Sequence, residues 1–137
     1  MSMCYGVKIK LEASYTEENI LKILKRGALK GFVYYDQITF EEYLDIPIIM
    51  PDQTVKKIMT AYKKGVEGGP VVYTVLEDDT NVHLGFFEGE DGFLELDLGA
   101  LCCPKKKGFF IDFAYYIRMF LDICDDFCVL ELKTDAF

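Results

Sequence analysis

Residues 71–98 read VVYTVLEDDTNVHLGFFEGEDGFLELDL, and this stretch decides the fold of the 137-residue chain. Apolar and polar residues alternate in three segments, 71–77, 82–87 and 93–98. Such alternation is typical of strands that bury one face. The two connections, 78–81 and 90–92, are rich in Asp, Asn and Gly, which favour hairpin turns. The stretch therefore predicts a three-stranded antiparallel meander.

The register of the two hairpins predicts which side chains face the core. If Glu77 pairs with Val82 and Gly89 pairs with Phe93, one face of the meander is continuous and apolar. That face carries Tyr73, Val75, Val82, Leu84, Phe86, Leu94, Leu96 and Leu98. The opposite face, which we expect to lie outward, carries Val72, Thr74, Leu76, His83, Gly85, Phe87, Phe93, Glu95 and Asp97.

The first third of the chain predicts a strand followed by a helix. Residues 5–12 alternate, and the face expected to point inward carries Val7, Ile9 and Leu11. Helical spacing of apolar residues follows over residues 16–30. Ser14 and Glu17 have the spacing of a capping box at the start of this helix, and Gly31 is expected to end it.

The middle of the chain is less regular until a second helix. Residues 31–35 predict a short strand, and 40–44 predict a brief helix. Residues 46–51 are expected to be extended, because each of the two prolines disfavours a helical conformation at the residue before it. A second helix is then predicted over residues 53–66, with Asp52 as its N-cap.

The end of the chain predicts one more helix and one more strand. Residues 109–125 are apolar over most of a helical circumference, so this helix is expected to be either central to the core or partly covered by a partner. Residues 127–134 predict a final strand whose inward residues are Cys128, Leu130 and Leu132. The whole chain, residues 1–137, is expected to form a single domain of the α+β class. We expect an antiparallel sheet of about four to six strands packed against two or three helices.

Charge limits the classes of partner. The net charge is −8, and residues 31–137 alone carry −11. An acidic surface repels phosphate, so neither nucleic acid nor an anionic membrane is expected as a partner. Eight carboxylates and no Lys or Arg lie between Glu77 and Asp97, counting both ends. This acidic segment favours a basic protein as the partner.

The expected location and cofactors follow from the lack of a secretory signal and of zinc-binding spacing in the sequence. The chain does not begin with the basic and apolar regions of a secretory signal, so a cytoplasmic location is expected. Five Cys residues are then expected to be free thiols. Cys102 and Cys103 are adjacent, and Cys124 and Cys128 lie four positions apart, which is poor spacing for zinc. We expect no metal and no cofactor.

Catalytic signals are weak. His83 is the single histidine, and the register places it near Asp97 or Gly99, where Asp97 is a candidate for orienting it as a general base. An imidazole beside a carboxylate on a sheet surface is common, however, so we expect a non-enzymatic domain.

The sequence thus predicts a small acidic protein-interaction domain, such as an inhibitor of a basic protein. The expected partner-binding residues are Leu76, His83, Phe87, Phe93, Glu95 and Asp97. Two alternatives stay open. One is a small enzyme or ligand-binding domain that uses His83 with Asp97 and Glu95. The other is a structural subunit of a homo-oligomer.

Overall fold

A computed structural model describes residues 5–38, 46–66, 69–102, 106–107 and 110–136. The elements in chain order are β1 (Tyr5–Ser14), α1 (Glu17–Leu29), β2 (Val33–Tyr35), β3 (Ile48–Ile49), α2 (Pro51–Lys63), β4 (Val71–Val75), β5 (Asn81–Glu88), β6 (Phe93–Cys102), β7 (Lys106–Lys107), β8 (Phe110–Ile111), α3 (Phe113–Ile123) and β9 (Val129–Ala136). The helix predicted over residues 40–44 lies outside the described residues. No helix among the described residues combines the length and apolarity that a membrane crossing requires.

The meander lies inside a larger sheet. Its strand order is β3-β2-β4-β5-β6-β1-β9, and all neighbouring pairs are antiparallel. The predicted α+β fold is confirmed, with seven strands in this sheet rather than four to six. The first described strand, β1, lies between β6 and β9, so the first and last described strands are neighbours in the sheet. A separate hairpin is formed by β7 and β8.

One face of the sheet and all three helices share a single apolar core. The sheet contributes Val7, Ile9, Leu11, Val72, Val82, Leu84, Phe86, Leu94, Leu96 and Leu98, and the helices contribute Ile20, Ile23, Leu24, Val55, Ile58, Tyr116, Phe120 and Ile123. Burial of Val82, Leu84, Phe86, Leu94 and Leu96 confirms the predicted faces of β5 and β6. We call the opposite side of the seven-stranded sheet the outer face.

The predicted faces of β4 are wrong. Val72 and Leu76 are buried, whereas Tyr73 and Val75 are only half-buried. The reason is the turn: Leu76 N–H donates to the carbonyl of Thr80, and Asp79 adopts a positive φ of 67°. This is a three-residue loop with a left-handed third residue, a standard hairpin connection. It shifts the pairing by an odd number of residues and so exchanges the two faces of β4.

The ends of α1 follow from local hydrogen bonds. Thr16 is the N-cap, because its side chain accepts from the N–H of Asn19, while Ser14 is the last residue of β1. The predicted capping box is therefore wrong. The predicted stop at Gly31 is confirmed, since this residue has a φ of 93° and its N–H donates to the carbonyl of Ala28. Such an end, with glycine in the left-handed region, is a Schellman motif.

The other two helices are shorter than predicted. Pro51 is the first helical residue of α2, so Met50 rather than Asp52 is the N-cap. Proline suits this position because its missing N–H would have no helical acceptor there. Asp112 caps α3 by accepting from the N–H of Tyr115, and this cap starts the helix later than the predicted residue 109.

A β-bulge alters the predicted faces of β9. Lys10 is opposite Glu131, but the next residue of β1, Leu11, is opposite Val129. Leu130 is therefore the extra residue of a bulge, and it is 47% exposed rather than inward. Cys128 precedes the strand and is also exposed, so of the three predicted inward residues only Leu132 packs against the core.

Candidate functional site

A row of apolar and aromatic side chains crosses the outer face on four adjacent strands. We call it the aromatic strip, and it consists of Ile48, Tyr35, Tyr73 and His83. Tyr35 is opposite Ile48, and Tyr73 is opposite His83. The ring centroids of Tyr35 and Tyr73 lie 5.4 Å apart, and those of Tyr73 and His83 lie 6.0 Å apart, both in edge-to-face geometry. Ile48, at the edge of the sheet, is 62% exposed.

The strip ends at β6, where a glycine contributes no side chain to the outer face. Gly99 is directly opposite His83 on β6. A Cβ atom built on Gly99 would lie 3.2 Å from Asp97 Oδ1, and one built on Gly6 of β1 would lie 3.8 Å from the same atom, so the carboxylate lies close to both glycines. Partial burial lowers the pKa of His83 below its ordinary value. The imidazole is therefore held in its neutral form to lower pH than usual.

A groove of about 230 Å³ lies on the outer face beyond the strip. It is lined by Lys8, Ile9, Lys10, Phe87, Glu95, Leu96, Asp97, Glu131 and Lys133. The six charged side chains in this set are three lysines and three carboxylates, so the groove has no net charge. Asp97 and Glu95 line it, but His83 does not, so the imidazole lies outside this groove.

The outer face is therefore not the acidic surface that the sequence predicts. Glu95 is opposite Lys10 on β1, and Asp97 is opposite Lys8. Lys10 also forms an ion pair with Asp91, and neighbouring carboxylates, led by Asp91, raise its pKa. The lysines of β1 lie on the same face and balance the negative charge of Glu95 and Asp97. This pairing joins segments more than 80 residues apart.

Five of the six predicted partner-binding residues lie on the outer face, on the adjacent strands β5 and β6, and the exception is Leu76. Leu76 is 1% exposed, so its outward placement is wrong for the reason given by the β4 register. Phe87 lies over the Cα atoms of Gly69 and Gly85, where an added Cβ would overlap its ring. Lys10 Nζ lies 6.0 Å from the ring centroid of Phe93. Of the six residues, only His83 belongs to the aromatic strip.

An acidic turn lies at one end of β4 and β5. Glu77, Asp78 and Asp79 connect β4 to β5, close to the point where Val75 pairs with Asn81. Tyr115 OH donates to Glu77 Oε1 at 3.1 Å. Tyr116 OH donates to Asp78 Oδ2 at 3.0 Å and lies 3.1 Å from Thr80 Oγ1. Helix α3 thus fixes the position of this turn. Asp79 is exposed at this turn.

Replacing Tyr116 by Phe is expected to lower the free energy of unfolding by about 1–3 kcal/mol, because the buried hydroxyl of Thr80 then loses its partner. Equilibrium denaturation by urea measures this difference. The control is Tyr115→Phe, which removes a bond to the exposed Glu77 and should cost well under half as much. Equal losses for the two variants would contradict the description of Tyr116 as the residue that anchors the turn.

The cysteines show no reactive arrangement in the described part of the chain. Cys124 is buried, and burial raises the pKa of its thiol to about 12, while Cys128 is exposed, and both are free thiols. No group of three or more His, Cys, Asp or Glu side chains there is close enough to hold a metal ion. The side chain of Cys102 and all of Cys103 lie outside the described residues.

Three members of the strip were not predicted from the sequence. The predicted register assigns Tyr73 to the core because the predicted turn length is wrong, while Tyr35 and Ile48 lie on strands of three and two residues.

Comparisons with protein-family models, with curated proteins and with solved structures found no match. The function must therefore be inferred from the geometry itself.

Proposed function

We propose that this protein is a non-enzymatic interaction domain that binds a protein partner through the aromatic strip. The supporting observation is that four adjacent strands align their apolar and aromatic side chains on the side of the sheet away from the helices. Aromatic residues are enriched at the centres of protein interfaces, with charged residues at the rim. In the proposed interface, the strip is the aromatic centre and the exposed Asp79, on the turn that joins two of its strands, is part of the rim.

We further propose that the partner is basic. The net charge of −8 attracts a cation from a distance, and Asp79 is exposed on the turn that joins β4 and β5, the strands that carry Tyr73 and His83. An inhibitor that covers a basic protein surface is one function of this kind. The free thiols of Cys124 and Cys128 suit a reducing compartment, which supports a cytoplasmic location.

A second candidate function is a small-molecule or catalytic site at His83 with Asp97 and Glu95. The place of Asp97 on β6, diagonal to His83 on β5, favours it, and a lowered pKa leaves His83 in the neutral form that a general base requires. The groove that Asp97 and Glu95 line does not include His83. This separation is why we prefer the interaction domain.

The test compares variants of the strip with a matched control. The partner is captured from the cells that make the protein, purified, and its binding kinetics are measured by surface plasmon resonance. Combining Tyr35→Thr with Tyr73→Thr is expected to weaken binding at least thirtyfold, or roughly 2 kcal/mol, as loss of central aromatic residues usually does. Leu29→Thr, which alters an exposed apolar residue of α1, should leave binding unchanged.

Charge and histidine variants separate the two candidate functions. Asp79→Asn keeps a residue that tolerates positive φ and is expected to slow association, while Glu18→Gln on α1 should not. If the strip variants bind as the wild type does, and His83→Ala abolishes a measured turnover, the interaction domain is rejected in favour of an enzyme. Glu95 and Asp97 are unsuitable for charge reversal, because it would place Lys opposite Lys10 and Lys8.

A further inference from the structure

We propose that β9 pairs with β9 of a second copy of this chain, forming a symmetric homodimer with a continuous sheet. Among the described strands, β9 pairs on one side only, with β1, and so forms one edge of the sheet. It is eight residues long, whereas the strand at the other edge, β3, has two. A long edge strand exposes backbone N–H and C=O groups that another strand can pair with.

The charges of β9 are complementary to themselves. Glu131 and Lys133 are opposite Lys10 and Lys8, so both belong to the outer face, and Lys133 Nζ lies 2.8 Å from Glu131 Oε1. In an antiparallel pair centred on Leu132, Glu131 of each copy is opposite Lys133 of the other. A two-fold axis produces this contact twice, and opposite charges facing each other across strands stabilise a pair.

The core side of β9 supports the same register. Leu132 packs against the core and would lie opposite Leu132 of the second copy. Leu130, which is 47% exposed at the bulge, would lie opposite Thr134 of the second copy and lose part of its contact with water. The pairing therefore covers an apolar side chain that the monomer leaves in solvent.

Charged residues and bulges usually protect an edge strand from pairing, and β9 has both. In β9, the charges instead favour one register of the pair over its neighbours. A pair centred on Glu131 opposes the two glutamates, and a pair centred on Lys133 opposes the two lysines. The register centred on Leu132 avoids both conflicts. The dimer would place the helices of both copies on one side of the continuous sheet and both aromatic strips on the other. This proposal does not depend on the proposed function.

The test uses sedimentation velocity at physiological ionic strength, over roughly 1 µM to 1 mM, the range expected for a small interface. The wild type is expected to shift from monomer to dimer across this range. Glu131→Lys alone and Lys133→Glu alone should each raise the dimer dissociation constant at least about tenfold, because each opposes like charges twice.

The decisive sample is an equimolar mixture of the two variants. Each copy then carries charges opposite to those of the other at both contacts, so the mixture should dimerise to within about threefold of the wild type. Because Glu131→Lys also places Lys opposite Lys10 of its own chain, circular dichroism is used to establish that both single variants are folded before they are mixed. Three results would overturn the proposal: a wild type that stays monomeric, single variants that dimerise normally, or a mixture that associates no better than its components.

Discussion

Replacing Gly27 by Ala is expected to lower the free energy of unfolding by about 3 kcal/mol, although the same change in an unobstructed helix is stabilising. Gly27 lies in α1 beneath Tyr34, which is 2% exposed and donates a 2.7 Å hydrogen bond to the carbonyl of Leu24. A Cβ on Gly27 would overlap Tyr34 Oη and lie 3.0 Å from Phe32 Cδ2. Neither ring can move without loss of packing or of the buried hydrogen bond.

Tyr34→Phe is the control that identifies the cause. Removing the hydroxyl relieves the main overlap, so Gly27→Ala should cost at least about 1 kcal/mol less in the Phe background than in the wild type. Urea denaturation of the four proteins measures this coupling. A stable Gly27→Ala variant, or equal costs in both backgrounds, would show that β2 does not pack against α1 as described.

Replacing Phe86 by Ala is expected to cost about 3–5 kcal/mol, whereas the same change at Phe87 should cost less than half as much. Phe86 is fully buried in the core between sheet and helices, and its removal leaves a cavity that close-packed neighbours cannot fill. Phe87 is half-buried on the outer face, over Gly69 and Gly85. The adjacent pair thus compares the same residue type on opposite faces of one strand.

The free energies of unfolding of both phenylalanine variants are measured by urea denaturation under the same conditions. Matching slopes with denaturant concentration ensure that the comparison concerns stability rather than the unfolded state. Equal losses, or a larger loss at Phe87, would mean that β5 presents the opposite face to the helices. The predicted alternation of residues 82–87 would then be wrong as well.

The sequence predicts best where side chains alternate over a long strand with a recognisable turn. The hairpin between β5 and β6 is confirmed, because Gly89 N–H donates to the carbonyl of Phe93, and both strands present the predicted faces to the core. The predicted register of the preceding hairpin, between β4 and β5, is wrong, although the turn itself is predicted correctly. The loop has three residues, 77–79, instead of the predicted four, 78–81, which changes the parity of the pairing, and composition does not determine that length.

Non-local pairing explains why the candidate site was predicted incompletely. The alternation of β1 correctly predicts Lys8 and Lys10 on the side away from the core, but no local pattern places them beside Glu95 and Asp97. Likewise, Tyr35 and Ile48 lie on strands too short for alternation to be read. The bulge at Leu130 is an insertion of one residue whose position depends on the partner strand.

Site-specific photo-crosslinking tests most directly whether the aromatic strip is the docking surface. A photoreactive phenylalanine is introduced at Ile48, which is 62% exposed at the end of the strip, and separately at Leu29 on α1, which is 88% exposed. Both are exposed aliphatic positions, so tolerance of the probe is matched. We expect irradiation in the producing cells to give one discrete adduct with a basic protein from Ile48 and none from Leu29. The same adduct from Leu29, or no adduct from Ile48, would contradict docking through the strip.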